Sequence, residues 1–128
     1  MSITWLPLSS RKGISQVKIV YEEWKNQKYA GYYAVNSNRL VVVEHPEYEE
    51  DIPNIIAHEF RHHIQVELRM FPTIGSYIRD DLEYAEQIKW YFNHFPSEMD
   101  ALLWSNKVAP CENSIWWQKH LVSPNGTY

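Results

Sequence analysis

The stretch His58-Glu59-Phe60-Arg61-His62 decides how the rest of the chain is read. Residues four apart on a helix lie one turn above each other on the same face. Two imidazoles so placed can grip one zinc ion, and Glu59, about a quarter-turn round, can reach a water on that metal. The pattern demands a helix and points to metal-assisted hydrolysis.

That helix is expected from Pro53 to about Met70. Pro53 suits the first turn, where a missing N–H costs nothing. Ile55, Ile56, Ile64, Val66 and Leu68 supply apolar contacts, and Phe71-Pro72-Thr73-Ile74-Gly75 breaks the helix. Upstream, Tyr29 to Val35 and Arg39 to Glu44 are rich in aromatic and β-branched residues, with Asn36-Ser37-Asn38 between them as a turn. They read as a β-hairpin, and four consecutive apolar residues make the second run the better buried strand. His45-Pro46 ends it. Before the hairpin, Ile14, Val17, Val20, Tyr21 and Trp24 recur at helical spacing after Gly13, which predicts an amphipathic helix. Downstream, helices are expected over 76–93, from Glu98 to about Ser105, and over 113–121, followed by a frayed tail at 123–128. The order is α+β: a small antiparallel sheet, the hairpin at about 29–44, packed on three to five helices.

The chain has 128 residues, enough for a single domain spanning 1–128 with one core. Its 45% hydrophobic and 22% charged content is that of a globular protein. Six Trp and nine Tyr suit either a core filled by large rings or an aromatic groove. A net charge of −4 with scattered Lys and Arg argues against a nucleic-acid partner. The single Cys111 excludes an internal disulfide framework and a cysteine-rich zinc site, and fits a reducing compartment. Met1 to Leu8 lacks the pattern of a secretory signal, and no stretch approaches the ~18 apolar residues of a membrane span. The expectation is a cytoplasmic protein with no membrane partner.

A catalytic zinc site takes three protein ligands and keeps one position open. His58 and His62 supply two. Candidates for the third are Glu98, Asp100, His94, the pair Asp80 and Asp81, and Glu83 or Glu86. Glu98 is favoured, because it lies in the first turn of a helix opened by Pro96-Ser97, 36 residues past His62. That separation lets the chain complete a helix and return. Ala101, one turn on, is small enough for close approach to the His-bearing helix. Asp100 could accept a hydrogen bond from an imidazole N–H and so orient the ring. The chemistry is a zinc that lowers the pKa of its water toward ~7 and polarises a scissile carbonyl, with Glu59 as general base. His94, Tyr84 and Tyr91 are candidates for stabilising the oxyanion.

The string His58 to Gln65, followed by Pro96-Ser97-Glu98-Met99-Asp100-Ala101, resembles the minimal gluzincin-type zinc metallopeptidases. These include phage-encoded peptidases, with the SprT-like and ImmA/IrrE-like groups as wider relatives. The resemblance covers about residues 14–105. It implies a zincin-like core, zinc held by His58, His62 and Glu98, Glu59 as the base, and a peptide substrate. It further implies that a sheet strand, here 39–44, pairs with the extended substrate by β-addition.

The remaining polar residues have blander readings. His63 is expected at the surface or behind the ligands, Arg61 and Gln65 in solvent or against the acidic loop 47–51. Trp116 and Trp117 pack the last helix onto the core, and Cys111 is an inert thiol. Two alternatives to a peptidase remain: a metal-dependent hydrolase of another amide, and a non-catalytic interaction module with a structural zinc.

Overall fold

The computed structural model describes residues 15–120. In chain order they form β1 (Lys18–Glu23), β2 (Gly31–Ala34), β3 (Arg39–Glu44), α1 (Ile52–Glu67), α2 (Tyr84–His94), α3 (Pro96–Val108) and α4 (Glu112–His120). The class is α+β, and the sheet is mixed and three-stranded, in the order β1-β3-β2.

The hairpin forms as its composition predicts, β2 pairing antiparallel with β3 and Tyr33 facing Leu40. A short 3-10 turn at Val35–Ser37 joins them, and Asn38 closes it in the left-handed region at φ 48°, a conformation asparagine tolerates well. The expected helix at 14–24 is not there. Residues 18–23 are β1, parallel to β3, with Ile19 opposite Leu40 and Tyr21 opposite Val42. The helical reading passed over Ile19, which is fully buried along with Val17. Val17, Ile19 and Tyr21 alternate at the period of a strand, and β-branched side chains favour a strand beside a second apolar one. Ile14 and Gly13 lie outside the described residues, as does the tail at 123–128. The sheet is therefore not purely antiparallel, and β3 is its middle strand.

All four apolar residues of β3, Leu40 to Val43, are buried. Leu40 and Val42 join Val17 and Ile19 against Ile56, Phe60 and Ile64 of α1. Those three α1 residues recur every fourth position and form the stripe that seats the helix on the sheet. A second, smaller core joins Phe92 of α2 to Leu102 of α3, with Ile88, Tyr91, Met99 and Trp117 around it.

The expected helix over 76–93 begins only at Tyr84. Between Phe71 and Glu83 the chain is irregular, and local side-chain bonds compete with helical ones there. The Arg79 guanidinium bonds Asp81 two residues on, and the Gln87 side chain takes the Arg79 N–H at 3.2 Å. α3 starts at Pro96 and runs three residues beyond the expected end at Ser105. Among the described residues, no helix is long and apolar enough to cross a membrane.

Candidate metal centre

α1 has two working faces. Ile52, Ile56, Phe60 and Ile64 meet the sheet, whereas Asn54, His58, Arg61, His62 and Gln65 fall roughly opposite, at about 100° per residue. That second face is polar yet not solvated, because α3 lies against it. Asn54 Nδ2 donates to Ala109 O at 3.0 Å, Arg61 Nε to Asp100 Oδ2 at 2.7 Å, and Gln65 Nε2 to Ser97 O at 2.8 Å. Ala101 of α3 is fully buried, and a larger side chain there would hold the helices apart.

The first turn of α3 delivers Glu98 to the histidines. Glu98 Oε1 lies 2.9 Å from His58 Nε2, and Oε2 lies 3.0 Å from His62 Nε2. The two imidazoles stand 5.0 Å apart, nearly perpendicular. Donor atoms of His58, Glu59 and His62 all lie within 4.8 Å of one another, a group that could hold a metal ion. Donors around a tetrahedral zinc with bonds of about 2.0–2.2 Å are separated by about 3.3–3.5 Å. The observed nitrogen–carboxylate gaps are a few tenths of an ångström tighter, so the residues present fit one ion with a small outward adjustment. Of the five other carboxylate candidates, Asp80, Asp81, Glu83 and Glu86 are exposed and Asp100 is bound by Arg61. Asp81 pairs with Arg79, and Asp80 with Lys28 at 3.6 Å.

Burial and mutual charge set the protonation. Burial works against the charge of His62, but the hydrogen bond and charge of Glu98 outweigh it and raise its pKa to about 9. Burial likewise opposes the charge of Glu98, yet bonds from His58 and His62 hold it well below the usual carboxylate range. Glu59 is displaced the other way. Burial pushes its carboxyl up, against the pull of both imidazoles and with the charge of Glu98. Two carboxylates beside the same imidazoles are thus driven in opposite directions.

Of the three oxyanion candidates, the structure brings Tyr91 to the centre. Its hydroxyl lies 2.6 Å from Ser76 Oγ, which donates to Glu98 Oε2 at 3.2 Å. Burial, then the charge of Glu98, keeps the phenol protonated well above its ordinary range. Tyr84 lines the neighbouring cleft but is 65% exposed. His94 does not reach the site. It stacks on Trp90, with ring centroids 4.7 Å apart, beside Tyr77 and Phe95.

Several residues depart from their sequence reading. Asp100 touches no imidazole; Gln65 does, through Oε1 at 2.8 Å from His62 Nδ1, while Asp100 receives Gln65 and Arg61. Neither Arg61 nor Gln65 meets the acidic loop, and Gln65 is fully buried. His63 is fully buried too; Nδ1 meets the Tyr33 hydroxyl at 2.7 Å and Nε2 meets Ser15 O at 2.7 Å. Ser76 carried no signal in the sequence, having been assigned to the first turn of a helix that begins only at Tyr84. Trp117 packs on Phe92 as expected, but Trp116 is half-exposed and stacks on His120. Cys111 is a free thiol whose pKa burial raises.

A cleft of about 750 Å³ opens beside His58, Glu59, His62 and Glu98. Trp24, Tyr29 and Tyr32 line it on the sheet side, Tyr84, Tyr91 and Trp117 on the helical side. Apart from the groups at the centre, Lys28 and Asp51 are the charged side chains among the described residues that reach it. No protein-family model, curated protein or solved structure matches the chain, so the site is read from its own geometry.

Proposed function

We propose that the chain is a zinc metallopeptidase of the minimal gluzincin type, with a zincin-like core, hydrolysing a peptide bond in a protein or peptide. The observation that carries this reading is the Glu98 carboxylate, placed between the Nε2 atoms of both HExxH histidines beside a buried Glu59. His58, His62 and Glu98 would hold the ion, a donor set of two imidazoles and one carboxylate that suits zinc. Bound there, zinc would acidify water and polarise a carbonyl.

The chain's own residues supply the rest. Glu59, its proton affinity raised by burial, takes a proton from the attacking water and passes it to the departing amine. The Tyr91 hydroxyl, kept protonated, is a donor on the cleft side suited to the oxygen that gains charge. The rings lining the cleft exclude water and cover the substrate. β3 cannot accept an added strand, since β1 and β2 occupy both of its edges. A substrate strand would instead add to β2, whose Gly31 and Tyr32 line the cleft.

Zinc stoichiometry and digestion of a peptide mixture, read by mass spectrometry, test the reading. One zinc per chain is expected, with cleavage abolished by chelation. Glu59→Gln should retain zinc and lose at least about 100-fold in kcat, the usual contribution of a general base. A Glu59→Gln protein as active as the wild type would sink the mechanism. A chain that binds zinc and cuts nothing would favour an interaction module.

A further inference from the structure

We infer that Gln65 is a positioning residue that decides which ring nitrogen of His62 faces the metal, through an amide whose orientation is itself forced. The inference rests on His62 being a metal ligand, and it concerns how that ligand is prepared.

The side-chain amide of Gln65 is fully buried and bonded at both ends. Its Nε2 lies 2.8 Å from Ser97 O and 2.8 Å from Asp100 Oδ2. A backbone carbonyl can only accept a hydrogen bond. Asp100 is equally committed to accepting. Arg61 binds it twice, Nε at 2.7 Å and Nη2 at 3.2 Å. A flipped amide would aim its oxygen at two acceptors, one of them a carboxylate, leaving the buried Gln65 Oε1 without a donor while Asp100 Oδ2 keeps Arg61. The NH₂ end must therefore face Ser97 and Asp100, and Oε1 must face His62.

The ring follows from the amide. Oε1 lies 2.8 Å from His62 Nδ1 and has no hydrogen to give, so Nδ1 carries one. A protonated Nδ1 has no lone pair for a metal. Nε2 is the nitrogen left to bind, and it is the one turned toward Glu98 at 3.0 Å. Arg61, Asp100 and Gln65 thus form a directed chain from the outer end of the α1–α3 interface to a ligand atom. Hydrogen-bonded partners of this kind hold a ligand ring in one tautomer and orientation, and their loss costs about 10–100-fold in metal affinity.

The first test uses the unaltered chain with ¹⁵N-labelled histidine. One-bond and long-range ¹H–¹⁵N correlations of the zinc-loaded protein should show His62 with a proton on Nδ1 and the metal on Nε2. Metal on Nδ1, or no proton there, overturns the inference. The Nδ1 proton is expected in zinc-free protein as well, so a chain that takes up no zinc overturns the peptidase reading and leaves this assignment measurable.

The second test is Gln65→Met, which keeps the volume and removes both amide ends. Zinc affinity, measured by competition with a chromophoric chelator, should fall about 10–100-fold, and the His62 Nδ1 proton should exchange faster. A purely structural role would lower the melting temperature without altering the ring signals. Wild-type zinc affinity in Gln65→Met would overturn the proposal.

Discussion

At the residue scale, the centre holds a pair of carboxylates displaced in opposite directions. Glu98 is held ionised by two imidazoles, and Glu59 is pushed toward its protonated form by burial. This has a consequence for metal-free protein. The folded pKa of His62, about 9 against an ordinary 6.5, makes its contribution to stability complete below about pH 6.5 and lost as pH rises through about 9. Glu98 is depressed, so its contribution holds above the ordinary carboxylate value of 4.5 and goes only in strong acid. Glu59, raised by burial, also loses stability as it ionises above its ordinary 4.5, so chelator-treated protein should melt highest near about pH 5 and lose several degrees toward pH 9. Zinc competes with protons for the imidazoles, so zinc affinity should rise over the same range. Calorimetry with and without zinc checks both slopes, and a melting temperature that climbs toward pH 9 without metal would contradict the ion pair.

At the scale of elements, the approach of β2 to α1 is set by Gly31. A Cβ there would sit 2.7 Å from Val41 O and 2.9 Å from Ile55 Cγ2, with Glu59 Cγ at 3.6 Å. Gly31→Ala should lift the edge strand from the helix, costing about 1–3 kcal/mol of stability as overpacking does. Because β2 borders the cleft above Glu59, kcat/KM should fall while zinc content holds, which thermal melts and metal analysis would separate. The elements also show how far the sequence could be read. The hairpin and the HExxH helix were legible because alternation, turn residues and a first-turn proline all agree. β1 was not, since Val17, Val20, Tyr21 and Trp24 fit a helical period nearly as well as Val17, Ile19 and Tyr21 fit a strand. The irregular stretch 76–83 was not legible either, although the break at 71–75 was. Its apolar residues suggest a helix, and side-chain bonds around Arg79 compete with helical ones there.

For the whole molecule, the two cores lie on either side of the centre, one between sheet and α1, the other between α2 and α3. Neither includes a proposed ligand. Zinc removal should therefore leave the chain folded at a lower melting temperature, by about 2.7 kcal/mol of lost linkage when zinc stood at 100 times its Kd. Circular dichroism after chelation decides this, and outright unfolding would favour a structural zinc. The cleft suits a substrate that presents apolar surface. Tyr84→Ala should remove about 1–2 kcal/mol of contact and raise KM about 10-fold, with zinc uptake unchanged; a KM left at the wild-type value would place the substrate elsewhere.

His58, Glu59 and His62 were determined by sequence alone, because helical geometry places residues four apart on one face whatever surrounds them. Glu98 was legible as a candidate through Pro96-Ser97, but five other carboxylates and one histidine competed with it. Only tertiary structure set Glu98 apart from them, bringing it against both histidines by packing α3 on the polar face of α1. The same packing buried Gln65 and partly covered Arg61, which the sequence left to solvent or the acidic loop, whereas His63 is buried on the sheet side against Tyr33 and Ser15. Hydrophobic periodicity reports where apolar residues go, and it carries no information about two polar faces that satisfy each other's hydrogen bonds. The partners that Asn54, His58, Arg61 and Gln65 find across this interface are 32 to 55 residues away in the chain, and folding alone brings them together.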